Sequence, residues 1–544
     1  MRKKASASVS KKATIGRSKF FPLNESDKEG AVTRFKFLGA LGAACLSLTA
    51  GVLAVAAYAP FHYTWLGLPA FLLGFFLIVR AESFKPAFLR AWLFALGLFA
   101  PGLYWTVRSM NEFGRLPMPL ALLGLLLLAA FLALFWGAAA GLAARASKTL
   151  LARAFMLAAF LTLAEWLRGE GLADFAWLTP ALALLDTSLE GLAPLGGAHL
   201  INFAFFTSLA ALVVLLLGKS RARFWLLLIP VALKGLGFWG MTETWSEPAG
   251  RAEVRLIQAG LPVVDGWSKA TAAERLNAVA DLMKEPWPSG ELPKLLLTPE
   301  GILTTDILRL KQADQEALIR FVDAAKGAPM LFNGFRRDEA GGWRNSSFFA
   351  EDGRLTVTDK RKLVPFGEFV PPGFRWFVDL LGIPLTDLTP GSMDQKNLVF
   401  GKNFRAGVLI CYENIDGEVL RSFWKDPDGA PNLLLVTANL GWFHPMMIGQ
   451  HLDMTRLLAR ASARPAASVN MGGFSAFVGP DGRVTALAKG SGKDVLTREV
   501  ELRKGPETPF MRFGNAAALI LAVLLALAAF MAGRAACRRE AEGS

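Results

Sequence analysis

Cysteine is nearly absent from this chain, and its scarcity excludes two large classes of protein. Three occur in 544 residues: Cys45 inside the first long apolar run, Cys411, and Cys537 in a basic C-terminal tail. The region around Cys411 holds no second cysteine, so neither a disulfide framework nor a zinc ligand set can be built. Charge is scarce too, with 19% Asp, Glu, Lys and Arg against 53% hydrophobic residues and a mean hydropathy of +0.37. A soluble protein of this length is ordinarily less apolar, so a membrane protein is the first expectation. A phosphate-binding loop is also missing, because Gly218-Lys219-Ser220 lacks the upstream glycine such a loop requires.

What charge there is lies unevenly. Residues 1–36 hold ten Lys and Arg against Glu25, Asp27 and Glu29, whereas residues 251–510 hold 32 Lys and Arg against 31 Asp and Glu. A nucleic-acid binder concentrates basic surface on a folded domain; here the net +14 sits in a tail and in short loops. Seven apolar segments follow the tail, at 37–57, 62–79, 88–107, 117–143, 150–167, 195–217 and 223–241, and an eighth spans 515–536. Each is near the length of a spanning helix. Small residues at 54–57 would suit a cleaved signal peptide, but six further segments leave the membrane class unaffected.

Loop charge gives the orientation, since Lys and Arg in short loops stay cytoplasmic. With the basic tail inside, the loops after segments two, four and six carry Arg80, Lys85 and Arg90, then Arg145, Lys148 and Arg153, then Lys219, Arg221 and Arg223. The loop after segment five is acidic, with Glu170, Asp174, Asp186 and Glu190. The expected organisation is a disordered basic cytoplasmic tail (1–36), a seven-helix membrane region (37–242), one water-exposed domain (243–511), an eighth transmembrane helix (512–536) and a cytoplasmic tail (537–544).

Within 243–511 the pattern changes to short β-rich runs at 254–258, 294–298, 330–335, 346–350, 355–358, 405–410, 432–437, 467–470 and 475–478, with helical periodicity at 270–284, 305–325 and 448–463. Buried strands alternating with helices favour a layered α/β domain. Three chemically able residues stand where apolar strands run out: Glu300, Lys360 and Cys411. A thiol, a carboxylate and an ammonium together supply nucleophile, general base and oxyanion stabiliser. Singly, each has a bland reading as a buried small side chain or a solvated charge. His444 and His451 lie in aromatic or helical contexts that suit a structural role better than a Cys/His dyad. Glu165, an intramembrane carboxylate, has Arg168 three residues on as a local partner.

The local contexts are more specific than the residues. Thr298-Pro299-Glu300, then Lys360 with Leu363-Val364-Pro365-Phe366-Gly367-Glu368-Phe369-Val370-Pro371, then Cys411-Tyr412-Glu413-Asn414 resemble the nitrilase (carbon-nitrogen hydrolase) superfamily. Joined to about eight spans, they resemble its integral-membrane apolipoprotein N-acyltransferase family over roughly residues 37–536. The resemblance implies a membrane α-helical bundle plus a nitrilase-like αββα sandwich. Glu300 is then the general base, Lys360, eight residues before Glu368, the oxyanion stabiliser in preference to Lys362, and Cys411 the nucleophile. It further implies Glu368, Tyr412 and Glu413 as accessory residues and Trp267 as a tryptophan near the substrate entrance. Leu440 and Ala461 depart from the family, standing where acidic residues are common.

The activity implied is acyl transfer from a phospholipid, phosphatidylethanolamine by resemblance, through a cysteine thioester to the amine of a diacylglyceryl-modified apolipoprotein. It needs no metal or organic cofactor. The implied setting is the bacterial inner membrane, with the catalytic domain on the periplasmic side and the chain acting as a monomer. Independently, Phe366, Phe369, Phe374, Trp376, Phe377, Leu380, Leu381 and Ile383, and then Trp442, Phe443, Met446 and Met447, form apolar stretches able to admit an acyl chain or to fill a core. Two rivals stand at this point: a membrane-tethered amidase using the same three residues with water, and a silent lipid- or lipoprotein-binding relative, prompted by Leu440 and Ala461.

Overall fold

The computed structural model of the protein describes residues 25–261, 272–288, 292–373, 375–376, 379 and 387–542. Contacts divide the chain after Cys45. The part before Leu46 is the opening stretch of helix α1 (Glu25–Ala54), and the part from Leu46 on carries all other elements.

Every apolar segment becomes helical. Six helices among the described residues are long and apolar enough to cross a membrane: Gly39–Ala57, Met118–Ala146, Leu150–Gly171, Ser188–Leu217, Arg221–Thr242 and Ala516–Arg539. The other two segments differ from the expected full spans. Helix α2 (Thr64–Val79) has 16 residues, about 24 Å of rise against a hydrocarbon core of about 30 Å. The third segment is α3 (Phe84–Gly102), which bends by 54° into Trp105–Phe113. Pro101 and Gly102 stand at the bend, one lacking a backbone donor and the other lacking a side chain to stiffen it. Then follow α4 (Met118–Ala146), α5 (Leu150–Trp166), α6 (Ala193–Leu217) and α7 (Leu228–Thr242). Close packing depends on small residues, for a Cβ at Gly51 would lie 2.0 Å from the Phe94 carbonyl oxygen.

Among the described residues, the remaining chain is an α/β unit with two six-stranded sheets. One has the order β12-β1-β2-β3-β4-β5, the other β11-β10-β9-β8-β7-β6. The first comprises β1 (Glu247–Gln258), β2 (Lys294–Leu297), β3 (Met330–Arg337), β4 (Trp343–Glu351), β5 (Arg354–Asp359) and β12 (Asp494–Lys504). The second comprises β6 (Leu398–Phe400), β7 (Phe404–Ile410), β8 (Leu433–Asn439), β9 (Ala466–Met471), β10 (Ala476–Val478) and β11 (Val484–Leu487). Strands β1 to β3 and β7 to β9 are parallel and central.

Side-chain alternation explains the layering. Leu295, Leu297, Leu331 and Phe349 join the core shared with the second sheet, through Val408, Ile410 and Leu434. Their chain neighbours Leu296, Met330, Phe332 and Phe348 point the other way, into a core with Leu276 and Val279 of α8 (Ala272–Leu282) and Ala317 and Phe321 of α9 (Gln312–Ala324). The second sheet is covered by α10 (Met446–Ser462), which also packs on α6 of the membrane bundle. A last helix, α11 (Ala516–Glu542), ends the chain.

All nine expected strands form, with boundaries shifted by a few residues. Three more were not expected: β6, β11 and β12. Strand β12 pairs antiparallel with β1 from Asp494 to Lys504. It is an edge strand rich in Lys, Arg, Glu and Asp, so it shows no apolar run.

Candidate active site

The loops after three strands bring the chemistry together. Glu300 follows β2, and Lys360 and Cys411 directly follow β5 and β7. Cys411 has φ +52°, a left-handed conformation unusual for a non-glycine residue, at the point where the strand turns into the short helix Cys411–Ile415. Such a residue stores on the order of 1–3 kcal/mol of backbone strain, held by its surroundings. Glu413, with no exposed surface, is part of that hold. Its Oε2 accepts from the Ile410 N–H at 2.7 Å, and its Oε1 accepts from the N–H groups of Arg361 and Lys362. One carboxylate thus ties the strand end at Cys411 to the strand end at Lys360. Burial pushes that carboxyl up from its ordinary value, against the pull of Arg361 and the backbone donors.

Lys360 is 1% exposed and lies between two carboxylates. Its Nζ donates to Glu368 Oε1 at 2.8 Å and lies 3.6 Å from Glu300 Oε1. Burial works against the ammonium, but Glu368 and Glu300 outweigh it and hold Lys360 firmly protonated. Glu300 also accepts from Asn345 Nδ2 at 2.8 Å and from the Asn439 backbone N–H at 2.9 Å. The Cys411 thiol lies within electrostatic reach of Glu300, Lys360 and Glu368. Burial and the negative charge of Glu300 push the thiol well above its ordinary value, with Lys360 opposing. At rest the sulfur is therefore protonated.

Asn345 is a member that sequence reasoning missed. It donates to both carboxylates, at 2.8 Å to Glu300 and 3.0 Å to Glu368, while its Oδ1 accepts from Asn333. An asparagine on a strand carries no signal of this role. The Asn439 N–H was equally invisible, since a backbone donor has no residue type.

The remaining expected residues are placed as follows. Tyr412 stacks on Trp177 at 5.9 Å and donates its hydroxyl to the Asp174 carbonyl at 2.7 Å, docking the Cys411 turn on the loop after α5. Lys362 turns away from the cluster to Asp174 and Asp416. Glu368 Oε2 accepts from the Val364 N–H at 2.8 Å, so the carboxylate braces its own loop. Trp267 lies outside the described residues, as do Phe374, Phe377, Leu380, Leu381 and Ile383; Phe366 and Trp376 are exposed. Trp442 and Phe443 are half-buried, packed on Phe113 and Trp105.

His451 is buried, and burial lowers it to about 4, so it is neutral at ordinary pH; it contacts Asn414. His444 packs edge-on against Tyr104. Glu165 pairs with Arg168 at 2.7 Å, as its spacing suggested. The two departures are apolar packing: Leu440 is buried against Gly473, and Ala461 is buried in the second sheet's helix layer.

Comparison with known proteins bears on both regions. Residues 50–211 match the family described as apolipoprotein N-acyltransferase N-terminal domain, and residues 316–509 match the carbon-nitrogen hydrolase family. Lys360, Glu368 and Cys411 fall within the second match, and Glu300 lies before it. An apolipoprotein N-acyltransferase from Bordetella bronchiseptica is 35% identical over 497 residues, covering 84% of this chain and 90% of the relative. Those from Ralstonia nicotianae and Nitrosomonas europaea are 33% and 32% identical, covering 91% and 89% of this chain and 94% and 96% of their own lengths.

Proposed function

Because this chain belongs to the apolipoprotein N-acyltransferase family, we propose that it carries a fatty acyl group from a phospholipid, as a thioester on Cys411, to the amine of a diacylglyceryl-modified lipoprotein cysteine. The chain is a multi-pass membrane protein. In this reading residues 243–511 form the catalytic domain on the periplasmic side of the inner membrane, oriented by the basic loops between helices.

The observation that carries the mechanism is the buried cluster in which the Cys411 thiol lies within electrostatic reach of Glu300 and Lys360, themselves 3.6 Å apart. Ionising the thiol to solvent adds a second net negative charge to a buried cluster. Passing the proton to Glu300 leaves the cluster's charge unchanged, so the proton moves only as sulfur attacks. The S–C bond forms at the ester carbonyl, and Lys360 with backbone N–H groups stabilises the oxyanion. The C–O bond then breaks, and the leaving lysophospholipid takes the proton from Glu300. In the second half the lipoprotein amine attacks the thioester, Glu300 accepts the amine proton, and the C–S bond breaks. The sulfur leaves as a thiolate, which Glu300 reprotonates. Phosphatidylethanolamine is the proposed donor.

Incubating the purified protein with radiolabelled phospholipid tests the reading. A hydroxylamine-sensitive label appears on the wild type and is lost in Cys411→Ala, together with transfer, by roughly 10⁴-fold or more. Amide hydrolysis without any label points instead to an amidase.

A further inference from the structure

The base of this site is fastened through a short turn to the membrane region. Glu300 Oε2 accepts from the N–H of Asn439, the last residue of β8. Directly after it comes the tight turn Leu440–Trp442, capped by the Asn439 side chain, which accepts from the Gly441 N–H at 3.2 Å. Leu440 is buried against Gly473, where a Cβ would lie 2.7 Å from Leu440 Cδ1. A three-residue turn fixed in this way transmits the position of its far end to Asn439.

That far end sits on the bent segment Trp105–Phe113. Ser109 Oγ donates to the Trp442 carbonyl at 2.8 Å, and Arg108 donates to the Phe443 carbonyl at 3.1 Å. Phe113 meets Trp442 edge-on at 4.6 Å, and Trp105 meets Phe443 at 5.0 Å. The bend is itself anchored, because Gln450 of α10 accepts from the Trp105 indole at 3.1 Å and donates to the Gly102 carbonyl at 3.1 Å. A loop that needed no fixed position could leave its carbonyls to water. Here two consecutive carbonyls are taken by side chains of a membrane segment.

We propose that Ser109 and Arg108 are positioning residues: by holding Trp442 and Phe443 they keep the Asn439 N–H on the Glu300 carboxylate and so set the base against the thiol. The proposal rests on Glu300 being the base. It places part of the control over acylation in the bundle, where a change in lipid surroundings acting on the bend reaches the chemistry through one turn.

The test uses the full chain in phospholipid nanodiscs, following single-turnover thioester formation from labelled phospholipid. In the double variant Ser109→Ala, Arg108→Met, the rate constant for thioester formation falls about ten-fold, the scale of one weakened hydrogen bond to a charged group. The KM for phospholipid is unchanged, and Ser109→Thr, which keeps the hydroxyl, retains the wild-type rate. A loss expressed in KM alone, a loss that Ser109→Thr shares, or no loss overturns the proposal. Glu300→Gln provides the separate arm: wild-type thioester formation there means that the base itself was misassigned.

Discussion

Two buried ionic clusters in this molecule are built from the same kinds of side chain and arrive at opposite states. In the bundle, Glu165 and Arg168 are both fully buried and paired at 2.7 Å. Glu165 also accepts from the Trp136 indole at 2.8 Å, Arg168 donates to the carbonyls of Phe175 and Trp177, and its guanidinium lies 5.0 Å from the Phe99 ring. One anion meets one cation, and the surrounding donors and acceptors are matched. In the α/β unit, one ammonium, Lys360, faces two carboxylates, Glu300 and Glu368, and a thiol. The difference teaches that burial of charge does not mark function; imbalance does. A balanced pair has no proton to move, whereas the second cluster keeps a carboxylate within electrostatic reach of a protonated sulfur.

That contrast can be broken most forcefully at Arg168. Arg168→Met leaves Glu165 without its counter-charge, and the unfolding free energy is expected to fall by about 3–5 kcal/mol. Thermal unfolding in detergent reads this, and adding Glu165→Gln restores most of the loss. The protein that stays folded keeps its specific activity, as a purely structural pair requires. Next comes Lys360→Met, which removes the proposed oxyanion partner; acyl transfer is expected to fall by about 10²–10³-fold. Adding Glu368→Gln does not recover it, although it rebalances the charge.

A finer test separates the two roles that Glu300 plays toward sulfur. Its charge pushes the thiol up, so Glu300→Gln lets Lys360 draw the thiol back down. With Cys45 and Cys537 replaced by Ser, Cys411 in Glu300→Gln should alkylate several-fold faster than wild type near pH 8, even as acyl transfer collapses. Slower alkylation would mean that the wild-type cluster holds a preformed thiolate.

The smallest effect concerns a third buried charge. Asp453 on α10, between His62 and Arg456, is pushed up to about 6 by burial. An acid whose folded value lies above its unfolded one lends stability that is fully present below about pH 4 and lost as pH rises through about 6. Asp453→Asn should therefore raise the unfolding free energy relative to wild type above pH 6, by on the order of 1–2 kcal/mol, and gain nothing near pH 4.

Much of the fold was legible because period is a local property. The apolar lengths of the bundle and the alternation at Leu295, Leu296 and Leu297 need no knowledge of distant partners. Strand β12 escaped because an edge strand exposes its charged positions. The bend at Pro101 and Gly102 was overlooked for a different reason: apolar composition runs through it unbroken.

The sequence by itself determined the membrane class, the α/β character of the second half, and the three residue types able to do acyl chemistry, since each is written in composition, period or motif. Only the tertiary structure decided that Asn345 and the Asn439 N–H serve Glu300, that Lys362 turns to Asp174 and Asp416, and that Trp105–Phe113 lies beneath the Trp442 turn. Those depend on contacts between elements from 45 to more than 300 residues apart, and no local pattern along the chain encodes a distance between them.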